Sequence, residues 1–309
     1  MKAYIKLFRP INLLLLILTQ YLVLFYLIRP IFLLSNYDIV VSHFDFALFV
    51  LSNVLLAAAG YAILDYYDIE IADASNQNSQ QKIIPKKKKY MLNMVLNTIA
   101  CLLGFYCAFR VGNFKLGFLP LVIALALFYY SLKYKRQFLT GNIVIGLVVA
   151  YSIMVVWLFQ FFAIKSDPLV FAAAINCFKI ISVFVGGMAV LGFLLTLILE
   201  MLLSIKDREL EKLKGFDTIA IRLGVKKTQK TIQWLSIFTM LILAVAQYFL
   251  FEDYPITTYY FFVLQFMFIY FLVTLRRAVE ISHYQFLSNF LKIMMLAGLL
   301  STQMLSINF

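Results

Sequence analysis

Two short acidic stretches stand out in a chain that is otherwise poor in acid. Asp65 and Asp68 lie in Leu64-Asp65-Tyr66-Tyr67-Asp68-Ile69-Glu70-Ile71-Ala72-Asp73, and Asp207 and Glu211 in Asp207-Arg208-Glu209-Leu210-Glu211. Residues three or four apart share a helix face, so each pair aims two carboxylates the same way wherever the chain is helical. Glu200 lies about two turns upstream of the second pair. Of the 15 carboxylates, nine fall in or beside these two stretches. Carboxylates gathered this closely repel one another and need compensation. Mg2+ provides it well, because it prefers oxygen ligands and bridges one or two carboxylates to substrate phosphates. Two facing acidic pairs with metal ions between them would grip a diphosphate and stabilise it as a leaving group. The same spacing also fits solvated loop charges paired with neighbouring lysines, since D-x-x-D is short enough to occur by chance.

The elements that must carry these residues follow from composition. The chain has 309 residues, 63% of them hydrophobic, with 31 Phe and 19 Tyr. Charged residues make up 14%, against about 25% in an ordinary soluble domain. A soluble fold could not cover that much apolar surface, and a disordered chain would not contain it. The class is all-α: a polytopic membrane protein whose apolar runs suit helices of about 20 residues, not barrel strands. Nine spans are expected, near residues 11–33, 45–66, 90–109, 116–134, 141–163, 172–203, 230–251, 256–275 and 287–307. The sixth is too long for one straight crossing, so its first part is expected to tilt or to lie at the interface. The basic start and apolar run at the N-terminus lack an A-x-A-like cleavage site and read as a retained first helix.

Twenty-one of the 27 Lys and Arg fall on one side of these spans. The bias puts the N-terminus in the cytoplasm and the C-terminus outside, in the inner (plasma) membrane. It also accounts for the net charge of +12 without a nucleic-acid partner. The run Lys86 to Lys89 is most simply a topology signal that also attracts anionic lipid headgroups. Both acidic stretches fall on the cytoplasmic side, four spans apart, as expected of a single domain over 1–309 built from related halves of about 1–140 and 141–309. Cys101, Cys107 and Cys177 lie in apolar runs without metal-ligand spacing, and His43 and His283 stand alone.

Several stretches together resemble the UbiA superfamily of intramembrane prenyltransferases. Leu7-Phe8-Arg9-Pro10-Ile11-Asn12 is similar to its opening R-P-x-N element, and Ala57-Ala58-Ala59-Gly60-Tyr61 to its small-residue approach to the first acidic motif. Asp65 and Asp68 match the family's N-D-x-x-D-x-x-x-D, and Asp207 with Glu211 match its D-x-x-x-D, with Glu for the last Asp. Tyr130-Ser131, Lys135-Arg136 and Gly141-Asn142 resemble the segment after helix four; Thr218 to Gly224 resembles the T-L-P-I-x-L-G run after the second motif. The likeness is strongest to the geranylgeranylglycerol-phosphate synthase branch. The chain departs from the pattern at Leu64 (family Asn), Ala72 (Asp), Ser204 (often Asp) and Leu210 (Gly).

The resemblance implies a nine-helix bundle whose cytoplasmic loops cap a central cavity, and transfer of an isoprenoid chain from an allylic diphosphate to an unidentified lipophilic or phosphorylated acceptor. It implies Mg2+ held by Asp65, Asp68, Asp207 and Glu211. Lys82 and Lys135 become candidates for phosphate oxygens, and Arg9 for the cytoplasmic mouth. Tyr130 becomes the candidate to stabilise an allylic cation through its ring face, with Tyr66 and Tyr67 weaker ones. Asn12 and Ser131 could hydrogen-bond acceptor or diphosphate. The implied partners are an isoprenyl diphosphate, the acceptor and membrane lipid, with no nucleic acid. Two other readings compete: a non-catalytic relative that binds a prenyl lipid or a partner, for which the motif departures are the cue, and a small-molecule transporter. A transporter predicts ionisable residues at mid-membrane in several helices, where only Glu200 and Lys292 are notable.

Overall fold

The computed structural model describes residues 7–34, 38–74, 84–252 and 254–307. Among the described residues the secondary structure is helical, without strands. Among the described residues nine helices are long and apolar enough to cross a membrane, and the chain is an integral membrane protein. They are α1 (Pro10–Leu33), α2 (His43–Ala74), α3 (Lys86–Arg110), α4 (Leu119–Leu132, after a 3-10 turn Phe114–Phe118), α5 (Thr140–Lys165) and α6 (Pro168–Lys206). Two short helices follow, α7 (Arg208–Leu213) and α8 (Ile219–Arg222), then α9 (Val225–Leu250), α10 (Pro255–Arg277) and α11 (Ile281–Ile307).

Local chemistry explains the departures from the expected boundaries. α1 contains a π-helical stretch, Leu24–Ile28. Pro30 has no N–H for the Tyr26 carbonyl and its ring would crowd it, so the helix widens by one residue to pass the proline. α2 continues to Ala74, well beyond the expected end at 66, with Leu64 and Ile69 holding its apolar face in the interior. α3 begins at Lys86, behind Pro85, instead of 90. α6 begins at Pro168, where Asp167 accepts hydrogen bonds from the amides of Leu169 (3.0 Å) and Val170 (3.3 Å), and runs as a single helix of 39 residues.

This long helix joins two apolar cores. Its first half packs with α1, the start of α2, and α5 through Ile181, Val185, Ile28, Phe46 and Val156. Its second half packs with α9, α10 and α11 through Ile198, Leu202, Ile232, Phe271 and Leu287. Large apolar side chains such as Trp234, Tyr248 and Phe266 remain exposed on the outside, as a lipid-facing surface requires. The ends of α2, α4, α6 and α10 and the starts of α1, α3, α5, α9 and α11 lie at the same end of the bundle. That end carries both acidic stretches.

Candidate active site

Because α2 is helical through residue 74, Asp65 and Asp68 lie one turn apart on it. Both are occupied by lysines. The Lys89 ammonium, from the first turn of α3, donates to Asp65. Lys135 donates to both oxygens of Asp68 at 2.8 Å. Lys135 sits on a 3-10 turn, Tyr134–Arg136, between α4 and α5. The start of α5 closes directly on that turn. A Cβ on Gly141 would meet the Tyr134 carbonyl at 2.7 Å, so the Gly-Asn step has a steric reason.

The second acidic pair brackets a helix break. Asp207 ends α6, and the Glu211 amide donates to the Asp207 carbonyl at 2.9 Å. The Glu211 carboxylate accepts from Thr218 Oγ1 at 2.8 Å and Ser204 Oγ at 3.3 Å, and the two hydroxyls bond each other at 3.0 Å. Ser204 thus supports Glu211. Burial raises the Glu211 carboxyl above the ordinary Glu value; the two hydroxyl donors and nearby Lys135 oppose that shift, and Asp207 adds to it. Asp207 is more open, with Lys206 at 3.4 Å. The two sides meet through the Lys135 turn. The Asp217 amide donates to the Arg136 carbonyl at 2.9 Å, Arg136 lies over the Phe216 ring at 5.9 Å, and Arg222 lies over Phe138 at 5.2 Å.

Tyr130 is buried and lies within electrostatic reach of Asp68, Glu200, Glu211 and Arg9, at the meeting point of the two acidic stretches. Glu200 is reached by the charges of Lys135, Arg9, Glu211 and Lys292. Asn12 Nδ2 donates to the Tyr61 hydroxyl at 3.1 Å, and Arg9 lies over the same ring at 5.1 Å. Arg9 and Leu139 are the non-glycine residues with left-handed φ among the described residues (48° and 53°), and both flank this end of the bundle. Ser131 is buried and its hydroxyl donates to the Leu127 carbonyl at 2.9 Å, a bond within its own helix. Lys82 lies outside the described residues.

Three residues at this site escape a reading of motifs. Lys89 belongs to a run that reads as a topology signal, yet it is 2% exposed while Lys87 and Lys88 face outward. Its signal was the spacing to Asn93, one turn on along the same helix face. Tyr61 and Thr218 sit within recognisable stretches but carry no charge to mark them. Leu64, where the family has Asn, is buried.

Among the described residues no three acidic, His or Cys side chains stand close enough to hold a metal unaided. The donor set is carboxylate oxygen from two loops with hydroxyl and ammonium groups between. That chemistry suits Mg2+ bound together with a diphosphate, which takes its remaining ligands from phosphate and water.

The model of the UbiA prenyltransferase family matches residues 13–291. The digeranylgeranylglyceryl phosphate synthase of Methanothermobacter thermautotrophicus is 27% identical over 237 residues, 73% of this chain and 68% of that protein. The enzyme of the same name from Hyperthermus butylicus is 30% identical over 230 residues, 73% of this chain and 69% of that protein. A solved structure from work on digeranylgeranylglyceryl phosphate synthase in membranes superposes with a TM-score of 0.66 at 22% identity, covering 100% of this chain and 99% of that one. A UbiA homologue from Archaeoglobus fulgidus, bound to DMAPP and Mg2+, superposes with a TM-score of 0.58 at 15% identity, covering 97% and 99%. The chain belongs to the UbiA prenyltransferase family.

Proposed function

We propose that this membrane prenyltransferase moves an isoprenoid chain from an allylic diphosphate to the hydroxyl of a glycerol-phosphate lipid, at the bundle end where the acidic loops meet. The observation that carries the reading is the Lys135 turn. Its ammonium holds Asp68 near the end of α2, while the neighbouring Arg136 carbonyl holds the Asp217 amide of the second acidic segment. A diphosphate entering between the loops meets carboxylates, Lys135 and Arg9 together.

Asp207 and Glu211 are the oxygen donors open to Mg2+, while Asp65 and Asp68 carry Lys89 and Lys135. When bound with the diphosphate, the ion supplies positive charge that stabilises the leaving group. Held on Asp68, Lys135 adds a fixed cation to the same site, which needs no reorganisation as negative charge develops. The C–O bond breaks with its electron pair passing to the diphosphate and leaves an allylic cation. The ring face of Tyr130 stabilises that cation without reacting with it. The acceptor oxygen then forms the new C–O bond and loses its proton to the released diphosphate. Asn12, oriented by Tyr61, is placed at the mouth to hydrogen-bond acceptor or diphosphate. The prenyl tail stays among apolar helices, so the chemistry suits a membrane.

The names of the relatives support the glycerol-phosphate acceptor. The Mg2+-bound homologue supports the metal. The lysine and arginine bias supports a site on the cytoplasmic face of the inner (plasma) membrane, with the N-terminus on that side. The test is substitution on each side of the cleft. Asp68→Ala and Asp207→Ala should each abolish prenyl transfer while circular dichroism and melting remain those of a folded chain. Unchanged turnover in both would overturn the mechanism.

A further inference from the structure

The two acidic pairs are unequal. On the first, both carboxylates are bound to ammonium groups: Asp65 to Lys89 and Asp68 to Lys135. On the second, among the described residues Glu211 accepts from the neutral hydroxyls of Thr218 and Ser204, and Asp207, 44% exposed, pairs with its chain neighbour Lys206 at 3.4 Å. The less tightly held negative charge, the attraction for a divalent cation, lies at Asp207 and Glu211.

Lys89 is not a surface lysine that has swung inward. Its three predecessors in the basic run point elsewhere: Lys87 and Lys88 are exposed, and Lys86 lies over the Tyr66 ring at 4.9 Å. Lys89 itself is 2% exposed. One turn on, Asn93 is buried on the same face and donates to the Ala59 carbonyl of α2 at 2.9 Å. Farther along, Ser52 of α2 donates to the Ala100 carbonyl of α3 at 2.8 Å. These bonds fix how α3 lies along α2 and aim Lys89 at Asp65. The buried Lys89 ammonium is costly to separate from the half-buried Asp65 carboxylate, because it would be left unpaired. A metal ion at Asp65 would have to displace Lys89 or crowd a second cation against it.

We propose that the Lys89 ammonium takes the place of a metal ion at Asp65, so that this chain holds its diphosphate with one divalent cation, carried by Asp207 and Glu211. The inference rests on the diphosphate chemistry proposed above. Lys89 and Lys135 then supply single positive charges on the first side, and the metal supplies two on the second.

The test counts metal ions directly. Mn2+ is titrated into the purified full-length chain with inorganic pyrophosphate, and bound ions per chain are read by electron paramagnetic resonance. Wild type should bind one. Lys89→Gln, which frees Asp65 as a ligand, should bind two, and Lys89→Arg should stay at one. Two ions in the wild type overturn the proposal, as does a count of one in folded Lys89→Gln, which would make Lys89 a helix-docking residue only. If Lys89→Gln does not fold, the wild-type count decides. A count of zero with pyrophosphate present would overturn the diphosphate reading itself, and this inference with it.

Discussion

Lys135 donates to both carboxylate oxygens of Asp68 at 2.8 Å, joining two residues 67 positions apart in the chain. The turn that carries it is bonded to the second acidic loop through the Arg136 carbonyl. The turn therefore ties the end of α2 to the second acidic segment, and Lys135 adds a cation there. Lys135→Met should lower kcat by about 10²-fold, the scale found when one preorganised charge-stabilising donor is removed. Lys135→Arg should recover part of it. Steady-state kinetics with a parallel melt checks this; a loss of stability without loss of kcat would reduce Lys135 to a structural tie.

Thr218 Oγ1 donates to Glu211 at 2.8 Å and is bonded in turn to Ser204. Thr218→Ala removes a hydrogen bond to a half-buried carboxylate and should cost about 1 to 3 kcal/mol of stability. Its sharper effect should be weaker Mg2+ binding, because Glu211 loses its orientation. Thr218→Ser, which keeps the hydroxyl, should restore both. Chemical denaturation and Mg2+ titration separate the two effects.

The pH dependence follows from Glu211. Burial holds its carboxyl above the ordinary value, so the group stays protonated to a higher pH than an exposed Glu, which titrates near about 4.3. Metal binding needs the carboxylate, so Mg2+ affinity should rise as pH rises through the Glu211 titration. The sign for the metal-free fold is opposite. A raised folded value favours the protonated form, a contribution fully present below the unfolded value and lost as pH rises through the folded one. Glu211→Gln should therefore bind Mg2+ poorly yet melt higher than wild type at neutral pH without metal. Melting curves with and without Mg2+ at several pH values test both signs.

Asn12 donates to the Tyr61 hydroxyl at 3.1 Å beneath Arg9. If this pair acts as a unit, Asn12→Ala and Tyr61→Phe should each raise KM, and the double variant should be little worse than either alone. A coupling of about 0.5 kcal/mol or more in a double-mutant cycle supports the unit; additive effects would separate the two residues.

Much of the fold was legible because a membrane constrains a sequence simply: an apolar run of sufficient length must be a helix, so the spans stand out. The errors came where charge and helix overlap. α2 carries its acids on helical turns beyond residue 66, and α3 starts inside the lysine run, where composition alone suggests loop. The acidic pairs were visible by type and spacing. Their lysine partners were harder to see, because Lys89 and Lys135 look like any cytoplasmic lysine until packing aims them. Ser204 reads in the motif as a lost carboxylate, whereas in the fold its hydroxyl supports Glu211. Pro30 was visible, but the π-helical passage around it depends on the geometry of the helix.

The central claim is metal-dependent activation of an allylic diphosphate. Its most direct test is pyrophosphate release from geranylgeranyl diphosphate by the purified protein, with Mg2+ and a panel of glycerol-phosphate and aromatic acceptors. The account predicts release that requires Mg2+, stops with EDTA and depends on a glycerol-phosphate acceptor. Absence of release from a folded protein, with no Mg2+-dependent diphosphate binding, would contradict it.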